Sequence, residues 1–317
     1  MSDVPLAIGI DFGGTSIKTG VLYRSNVIDE APRIDTQEFE EAPPLIERIH
    51  RTVQELRSRH PNICAIGVGM PGFVDFPTGM VHQLTNVRGW KNIHLKRHLG
   101  GLSALPVTVE NDANCMAYAE WKRGSGRGCK HLVALTLGTG VGGGIIIDGH
   151  IVRGSNYAAG ELGQTSIDFR GPLGAYGNRG SLEDYIGNQQ IANLAMKTYT
   201  EAGREVSAVE CEPSYLTRAG MKGDEIAIAI WKDVAEKLAS ALMNCCWLLN
   251  PEAIIIGGGI AKAGHLLFDP LNDFLRNQLS APFKDNLQIL PARFGNEAGI
   301  IGAATLALVE AGYHVDD

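Results

Sequence analysis

The sequence predicts an α/β protein built from two related halves, and three observations support this prediction. Apolar runs of strand length alternate with amphipathic helical patterns along the chain. The segments IGIDFGGTSIKTGVLY and VALTLGTGVGGGIIID follow one plan, in which a turn rich in Gly and Thr joins two apolar strands. Glycine contributes 39 of the 317 residues and clusters where apolar runs end, as tight turns require.

The first half is predicted to open with two strands, residues 6–10 and 18–23, joined by a turn at residues 11–15. A stripe of apolar residues predicts an amphipathic helix over residues 45–60. Two short apolar runs predict strands, and the segment that follows them predicts a helix. These elements are residues 63–70, 105–109 and 112–123.

The second half repeats the plan with a strand, a glycine turn and a strand, and it then adds helices. The predicted elements are strands 132–137, 145–148, 252–256 and 287–290, the glycine turn 138–144, and helices 182–200, 224–249, from about 260, and 297–311. We place the domain boundary after residue 113, with a small N-terminal α/β domain (1–113) and a large C-terminal one (114–296). The terminal helix, about residues 297–317, is a candidate to pack with the first domain.

Composition excludes several classes of function. The net formal charge of −7 argues against affinity for nucleic-acid phosphates, and 7% aromatic residues are too few for a base-stacking surface. No segment reaches the roughly 18 apolar residues of a membrane helix, since the nearest case, residues 132–147, is broken by a glycine cluster. The N-terminal residues show no signal-peptide pattern. The six cysteines include no CxxC pair, which indicates reduced thiols. We therefore expect a cytoplasmic protein without nucleic-acid or membrane partners.

The two matching turns are candidate phosphate sites. Residues 138–143 spell G-x-G-x-x-G, but a dinucleotide-binding turn must be followed by a helix, and here the strand residues 145–147 follow. Gly and Thr in a turn still suit a phosphate, because glycine lets backbone N–H groups approach an anion and threonine adds a hydroxyl donor. Asp11, at the end of the first strand, could hold Mg²⁺ through water. The alternative is two β-hairpins with glycine turns.

Other polar residues are candidates with ordinary alternatives. Gly257-Gly258-Gly259 precedes a predicted helix and could bind an anion or simply pack closely. Asp112 lies between a strand and a helix, where it could act as a general base or serve as a helix cap. Glu161 and Glu183 are ligand candidates or solvated surface acids. Ser181 and Asp184 together resemble a capping box.

Together these segments resemble the ROK family of bacterial sugar kinases and repressors, which has the two-domain hexokinase/actin-like ATPase (ribonuclease H-like) fold. The resemblance covers nearly the whole chain in the family's order. The matching residues are Asp11-Phe12-Gly13-Gly14-Thr15, Lys18, Pro71-Gly72-Phe73-Val74-Asp75, Asn86, Trp90, Glu110-Asn111-Asp112-Ala113-Asn114, residues 137–144, Gly160-Glu161-Leu162-Gly163, Gly177, Gly180, Glu183 and Gly257-Gly258-Gly259.

The resemblance implies phosphorylation of a hexose by ATP and Mg²⁺, usually at the 6-hydroxyl, in a homodimer. It makes Asp112 the catalytic base. The residues that it implies for the sugar are Gly72, Asn86, Asn111, Asp112, Glu161, Gln164 and Glu183. Those that it implies for Mg²⁺ and ATP are Asp11, Gly13, Gly14, Thr15, Lys18, Gly138, Thr139, Gly140, Gly258 and Gly259.

One departure from the family is large. Most members carry a zinc site of one histidine and three cysteines, and this chain has Gln164, Gly174, Tyr176 and Ser181 at those positions. None is a plausible ligand of structural zinc, so we expect no zinc. We expect the loop to persist without metal, with Tyr176 as a candidate for packing it. Gln164 can still form hydrogen bonds but cannot carry charge.

The sequence leaves three classes of function to compare. A kinase for glucose leads, with fructose, mannose and N-acetylhexosamines as alternative substrates and polyphosphate as an alternative donor. A catalytically weakened sugar-binding or regulatory protein is the second class, suggested by the missing zinc ligands. The family's DNA-binding repressors are disfavoured by the negative charge and by a phosphate turn that begins as early as Asp11.

Overall fold

Strands and helices alternate along the chain in the computed structural model, which describes residues 4–84, 87 and 89–315. The strands are β1 (Leu6–Phe12), β2 (Ser16–Tyr23), β3 (Asn26–Glu30), β4 (Ile34–Asp35), β5 (Ile63–Met70), β6 (Val74–Asp75), β7 (Met80–Gln83), β8 (Lys91–His94), β9 (Val107–Asn111), β10 (Leu132–Leu137), β11 (Val141–Ile147), β12 (His150–Ile151), β13 (Ala253–Gly257) and β14 (Gln288–Pro291). The α-helices are α1 (Ala42–Arg59), α2 (Leu95–Ser103), α3 (Asp112–Arg123), α4 (Glu183–Ile186), α5 (Asn188–Glu201), α6 (Pro213–Met221), α7 (Glu225–Leu249), α8 (His265–Gln278), α9 (Ala281–Lys284) and α10 (Ala298–Glu310). Short 3₁₀-helices cover Thr36–Glu38, Leu162–Gln164, Val209–Cys211, Ile260–Ala263 and Gly295–Glu297.

The chain divides into two units. Unit 1 contains the described residues up to Arg127, the segment Ile151–Ala159 and the residues from Phe294 onward. Unit 2 contains Gly128–His150 and Gly160–Arg293. The sequence placed the boundary after residue 113, which falls inside α3. The whole of α3 stays in unit 1 because it packs against α10.

Unit 1 is built on a six-stranded sheet in the order β3-β2-β1-β5-β9, with β4 also paired to β2. Strand β1 runs antiparallel to β2 and parallel to β5, and β5 runs parallel to β9. A smaller antiparallel sheet contains β6, β7 and β8. Because β5 and β9 are parallel neighbours, with Met70 opposite Asn111, their carboxyl ends lie side by side.

Both faces of the unit 1 sheet are buried, because a different helix covers each one. Successive strand residues point to opposite faces. Ile8 and Ile10 belong to a cluster that includes Leu45 and Ile49 of α1. Ala7 belongs to a second cluster, formed with residues of α10 such as Ile301 and Leu308. Each fully buried Leu or Ile contributes about 1.5–3 kcal/mol, so these two clusters hold α1 and α10 on the sheet.

Unit 2 repeats this arrangement with a five-stranded sheet in the order β12-β11-β10-β13-β14. Strand β10 is antiparallel to β11 and parallel to β13, as β1 is to β2 and β5. The repeated plan explains the similarity between the two strand–turn–strand segments of the sequence. Helix α7 buries Trp231, Leu238 and Leu242. In the described part of the chain, no helix has both the length and the apolar character needed to cross a bilayer.

The structure changes several predicted element boundaries in unit 2. Residues 141–144 belong to β11 and pair with β10, so the predicted turn 138–144 covers only residues 138–140. The predicted helix 182–200 is divided at Gly187 into α4 and α5. Helix α6, which the sequence analysis did not predict, precedes α7.

Candidate active site

Asp112 is the first residue of α3 and follows directly on β9. Asn111, not Asp112, is the residue that caps the helix, since its Oδ1 accepts hydrogen bonds from the N–H groups of Ala113 at 2.9 Å and Asn114 at 3.1 Å. The Oδ1 atom of Asp112 accepts a hydrogen bond from Ala113 N–H at 2.9 Å. The positive end of the helix dipole favours the ionised carboxylate at this position. A charged acid is thereby held at the C-terminal edge of the sheet.

Three of the sugar ligands implied for unit 1 meet at this edge. The side-chain amide of Asn111 donates a hydrogen bond to the carbonyl oxygen of Gly72 at 3.1 Å. Gly72 follows β5 and has a φ of +80°, a backbone conformation that favours glycine. Asn86, a fourth implied ligand, lies outside the described residues.

Asp11 is the second-last residue of β1 and lies next to the Gly13-Gly14-Thr15 turn in the sequence. Its Oδ2 accepts a hydrogen bond from Lys18 Nζ at 3.0 Å, and Lys18 also donates to the carbonyl of Asn296 at 3.3 Å. Lys18, which the sequence assigned to the nucleotide, is therefore the ion-pair partner of Asp11 here. The turn is closed by Gly13 N–H, which donates to Ser16 O at 3.0 Å.

The first turn of α10 also approaches Asp11, which the sequence analysis missed. A Cβ atom at position 299 would lie 2.6 Å from Asp11 Cγ, so only glycine permits this approach. The available signal was Gly299 itself, because glycine near the start of a predicted helix is unfavourable without such a reason. As for a metal, Mg²⁺ is usually held by one or two carboxylates together with substrate phosphates, and a single carboxylate at Asp11 fits that donor set.

In unit 2, the turn between β10 and β11 is closed by Gly138 N–H, which donates to Gly140 O at 2.9 Å. Glu183 packs against this turn, because its Oε2 accepts a hydrogen bond from Val141 N–H at 2.8 Å. A Cβ atom at Gly140 would collide with the same oxygen. Glu183 therefore has a fixed position in the fold and is not merely a solvated surface acid.

Two further predicted residues lie beside Glu183. The side-chain amide of Gln164 donates a hydrogen bond to Glu183 Oε1 at 3.3 Å. Desolvation of the Glu161 carboxyl, and secondarily the charge of Glu183, raises the pKa of Glu161 above its usual value. Glu161, Gln164 and Glu183 thus form one interacting group.

The segment that aligns with the family's zinc loop is held by hydrogen bonds. Asn178 Nδ2 donates to Gln164 O at 2.8 Å, and the hydroxyl of Ser181 donates to the carboxylate of Asp184. Gly174 has no side chain, and Tyr176 is 71% exposed, so the expectation that Tyr176 packs the loop is wrong. The hydrogen bonds of Asn178 and Ser181, and not packing of the Tyr176 ring, are the contacts that hold this segment.

These residues do not fit zinc. Structural zinc requires four N or S ligands from histidine and cysteine, whereas Gly174 has no side chain, Tyr176 and Ser181 offer hydroxyls, and Gln164 offers an amide. Within the described ranges, no group of three or more His, Cys, Asp or Glu side chains is arranged to hold a metal.

The third glycine turn differs from its prediction. Gly257-Gly258-Gly259 leads into the 3₁₀-helix Ile260–Ala263, and α8 begins only at His265, so no α-helix N-terminus faces the turn. Gly258 and Gly264, on either side of this short helix, have φ values of +87° and +59°, so the backbone changes direction before and after it. Gly258 instead packs against the backbone of Leu137 at the end of β10.

Gly259 borders a cavity of about 440 Å³ in unit 2. Most of its other lining residues are polar or small, and they include Asn188, Gln189, Glu212 and Ser214. Asn188 N–H donates a hydrogen bond to Gly138 O at 2.9 Å, which connects this cavity to the β10–β11 turn. A residue that lines the cavity is therefore hydrogen-bonded to the turn.

A profile of the family described as ROK matches residues 7–310 of the chain. The chain belongs to the ROK family. It is 34% identical over 310 residues to a glucokinase of Halalkalibacterium halodurans, an alignment that covers 94% of each protein. It is 27% identical over 318 residues to the xylose repressor of Caldicellulosiruptor bescii, covering 96% of this chain and 79% of the repressor.

A solved structure supports the same assignment. The ROK family glucokinase of Streptomyces griseus, in complex with glucose and AMPPNP, matches with a TM-score of 0.80 and 30% identity. The match covers 95% of this chain and 99% of the glucokinase chain. The predicted hexokinase/actin-like ATPase fold is thereby confirmed.

Proposed function

We propose that this ROK protein transfers the γ-phosphoryl group of ATP to the 6-hydroxyl of a hexose, with Asp112 as the general base. The observation that carries this proposal is the position of Asp112, an acid at the first residue of α3 whose carboxylate is fixed by Ala113 N–H. The similarity to proteins named glucokinases supports a sugar as the acceptor and makes glucose the leading substrate.

The polar groups of each unit suit the hydroxyls of a sugar. In unit 1, the Asn111 amide and the Gly72 backbone adjoin the base. In unit 2, the carboxylates of Glu161 and Glu183 accept hydrogen bonds from hydroxyl groups, and Gln164 both donates and accepts. Asn86 joins this set by family resemblance alone. Within unit 1, Asn111 and Gly72 would orient the 6-hydroxyl toward Asp112.

The two glycine turns suit the phosphates. The hydroxyls of Thr15 and Thr139 are the kind of donors that bind phosphate oxygens, and glycine at positions 13, 14 and 138 lets the backbone approach an anion closely. The N–H groups of Gly13 and Gly138 themselves close their turns. Asp11, beside Lys18, would hold Mg²⁺ through water, and the ion would neutralise negative charge on the phosphates. Gly259 borders the cavity of unit 2, and a Cβ atom there would meet nothing within 4 Å, so this position leaves room for the nucleotide. Gly140 and Gly258 are closely packed and would support the neighbouring backbone.

The chemistry requires little more than positioning and charge. Asp112 would accept the proton of the attacking hydroxyl, a contribution of about 10²–10⁴ in rate. A carboxylate at a helix N-terminus interacts favourably with the helix dipole. The protein's further task is to hold the hydroxyl in line with the phosphoryl group.

A second candidate is a sugar-binding regulatory protein with weakened catalysis. It is favoured by one observation, the replacement of the family's zinc ligands by Gln164, Gly174, Tyr176 and Ser181. Fructose, mannose and N-acetylhexosamines remain candidate substrates, and polyphosphate remains a candidate donor. A cytoplasmic homodimer is part of the proposal.

The test is release of ADP from Mg-ATP by the purified protein across a panel of hexoses and N-acetylhexosamines. Each reaction is run with and without 1,10-phenanthroline, which binds zinc but leaves Mg²⁺ in place. We expect sugar-dependent release that the chelator does not change. ATP binding without release, in folded protein and with every sugar, would favour the regulatory candidate.

A further inference from the structure

We propose that Arg153 is a positioning residue for the catalytic base, acting through the buried carboxylate of Glu110. This inference rests on the proposed function, because it assigns Arg153 to the placement of Asp112. Both residues belong to unit 1, Glu110 in β9 and Arg153 in the segment Ile151–Ala159.

Glu110 holds the residues on either side of Asp112. Its side chain is almost fully buried, with the residue only 3% exposed. Its Oε1 accepts two hydrogen bonds, from Asn111 N–H at 2.9 Å and from the side-chain amide of Asn114 at 3.1 Å. One carboxylate oxygen therefore fixes the backbone before Asp112 and the first helical turn after it.

Arg153 compensates the buried charge of Glu110. Its Nε donates a hydrogen bond to Glu110 Oε2 at 2.7 Å, the short distance expected of a charge-assisted bond. A buried carboxylate that loses its partner either becomes protonated or shifts toward water. Either change would alter the acceptor that holds Asn111 and Asn114, and so would move Asp112.

Arg153 also contacts the hairpin that follows Gly72. Its guanidinium lies 3.6 Å from the centre of the Phe76 ring, between β6 and β7. The same side chain thus connects the Glu110–Asp112 junction with the segment that carries Gly72. Lysine could not reproduce this arrangement, because it lacks a planar guanidinium. That group donates hydrogen bonds in its own plane while its face stacks on an aromatic ring.

The expected effect is on turnover. A displacement of about 1 Å in a reacting group can cost about 10²-fold in rate, so we expect Arg153→Met to lower kcat by about 10- to 100-fold. The KM for ATP should stay within about twofold, since the implied nucleotide ligands do not contact Arg153. Arg153→Lys should fall between Arg153→Met and the wild type.

A double variant separates positioning from general stability. Arg153→Met/Glu110→Gln removes the charge together with its partner, and glutamine keeps a carbonyl oxygen for Asn111 and Asn114. We expect it to recover at least about tenfold in kcat relative to Arg153→Met alone. Arg170→Met is the matched control, because Arg170 also stacks on a ring, that of Phe169, but has no buried carboxylate partner in the described part of the chain.

All variants are measured beside the wild type for kcat, for both KM values and for thermal unfolding. An active wild type with unchanged kcat in Arg153→Met would overturn this inference and leave the proposed function intact. A loss in Arg153→Met that the double variant does not recover would also overturn it. Inactivity of the wild type with every sugar would instead contradict the proposed function and this inference together.

Discussion

The carboxylate of Glu183 accepts a hydrogen bond from the backbone N–H of Val141, at the first residue of β11, over 2.8 Å. An acid proposed to hold sugar hydroxyls is therefore fixed to the turn proposed to hold phosphate. Any change in the backbone of that turn must move the carboxylate as well. Gly140, whose Cα faces Glu183 Oε2, is the position where this dependence is easiest to test.

Gly140→Ala should destabilise the protein and displace Glu183. The added methyl group would occupy the space of Glu183 Oε2, and overpacking of this kind costs about 1–3 kcal/mol. Gly138→Ala is the structural control, since a Cβ atom there meets nothing within 4 Å. Chemical denaturation should show a lower free energy of unfolding for Gly140→Ala only. If the two variants had equal free energies of unfolding, Glu183 would be able to move away from the added methyl group without loss of stability.

Asp112→Asn should remove the general base while it preserves sugar binding. Asparagine is nearly isosteric with aspartate but is not a base, so we expect kcat to fall by at least about 10²-fold. Glu225→Gln is the control, because Glu225 is also an acid at the first position of a helix, α7, and lies outside the candidate site. Calorimetric titration with the sugar measures binding separately. Unchanged turnover would remove Asp112 from the role of base.

Glu161→Gln should make stability less dependent on pH. The pKa of Glu161 is raised in the folded protein from its ordinary value of about 4.5. Ionisation of this carboxyl therefore lowers the stability of the folded state as the pH rises above about 4.5. The variant should therefore gain in Tm relative to wild type as pH rises from 4.5, and the gain should become constant above the raised pKa. Glu205→Gln, at an exposed loop position, should show no such trend. Parallel Tm profiles for wild type and Glu161→Gln would contradict this expectation.

Asp11→Asn should increase the Mg²⁺ concentration required for half-maximal activity. The carboxylate would act on the ion through water, and loss of such an outer ligand typically weakens metal affinity by about 10- to 100-fold. Lys18→Met gives the contrast, because Lys18 occupies Asp11 Oδ2 and competes with the cation for it. We expect no increase in the requirement for Mg²⁺ in that variant. A Mg²⁺ titration at saturating ATP and sugar distinguishes the two variants. If wild type and Asp11→Asn required equal Mg²⁺ concentrations, Asp11 would be excluded as a residue that holds the ion.

Local patterns in the sequence were sufficient for the elements that carry the candidate site. The helix predicted at 112–123 matches α3, because Asn111 and Asp112 supply local cap chemistry that does not depend on distant contacts. The rejection of a dinucleotide fold also agrees with the structure, since β11 follows the glycine turn. The motif order led to the ROK family, which the family match confirms.

Contacts between distant segments could not be predicted in this way. Arg153 and Glu110 are separated by 43 residues, and nothing local marks either one as the partner of a buried charge. The approach of Gly299 to Asp11 likewise depends on how α10 packs on the sheet. The sequence predicts one helix from about residue 260, where the structure has a short 3₁₀-helix before α8, because a composition favourable to helix does not distinguish i+3 from i+4 hydrogen bonding.

The packing of α10 has a consequence for the order in which the chain folds during synthesis. Ala7 and Ala65 of the unit 1 sheet pack with Ile301 and Leu308 of α10, so unit 1 cannot complete its core until α10 has left the ribosome. Most of unit 2 is continuous in sequence and is synthesised earlier, which lets it fold first. Until α10 is available, the face of the unit 1 sheet that contains Ala7 lacks the side chains of Ile301 and Leu308 that cover it. We therefore expect unit 1 to complete its folding after most of unit 2.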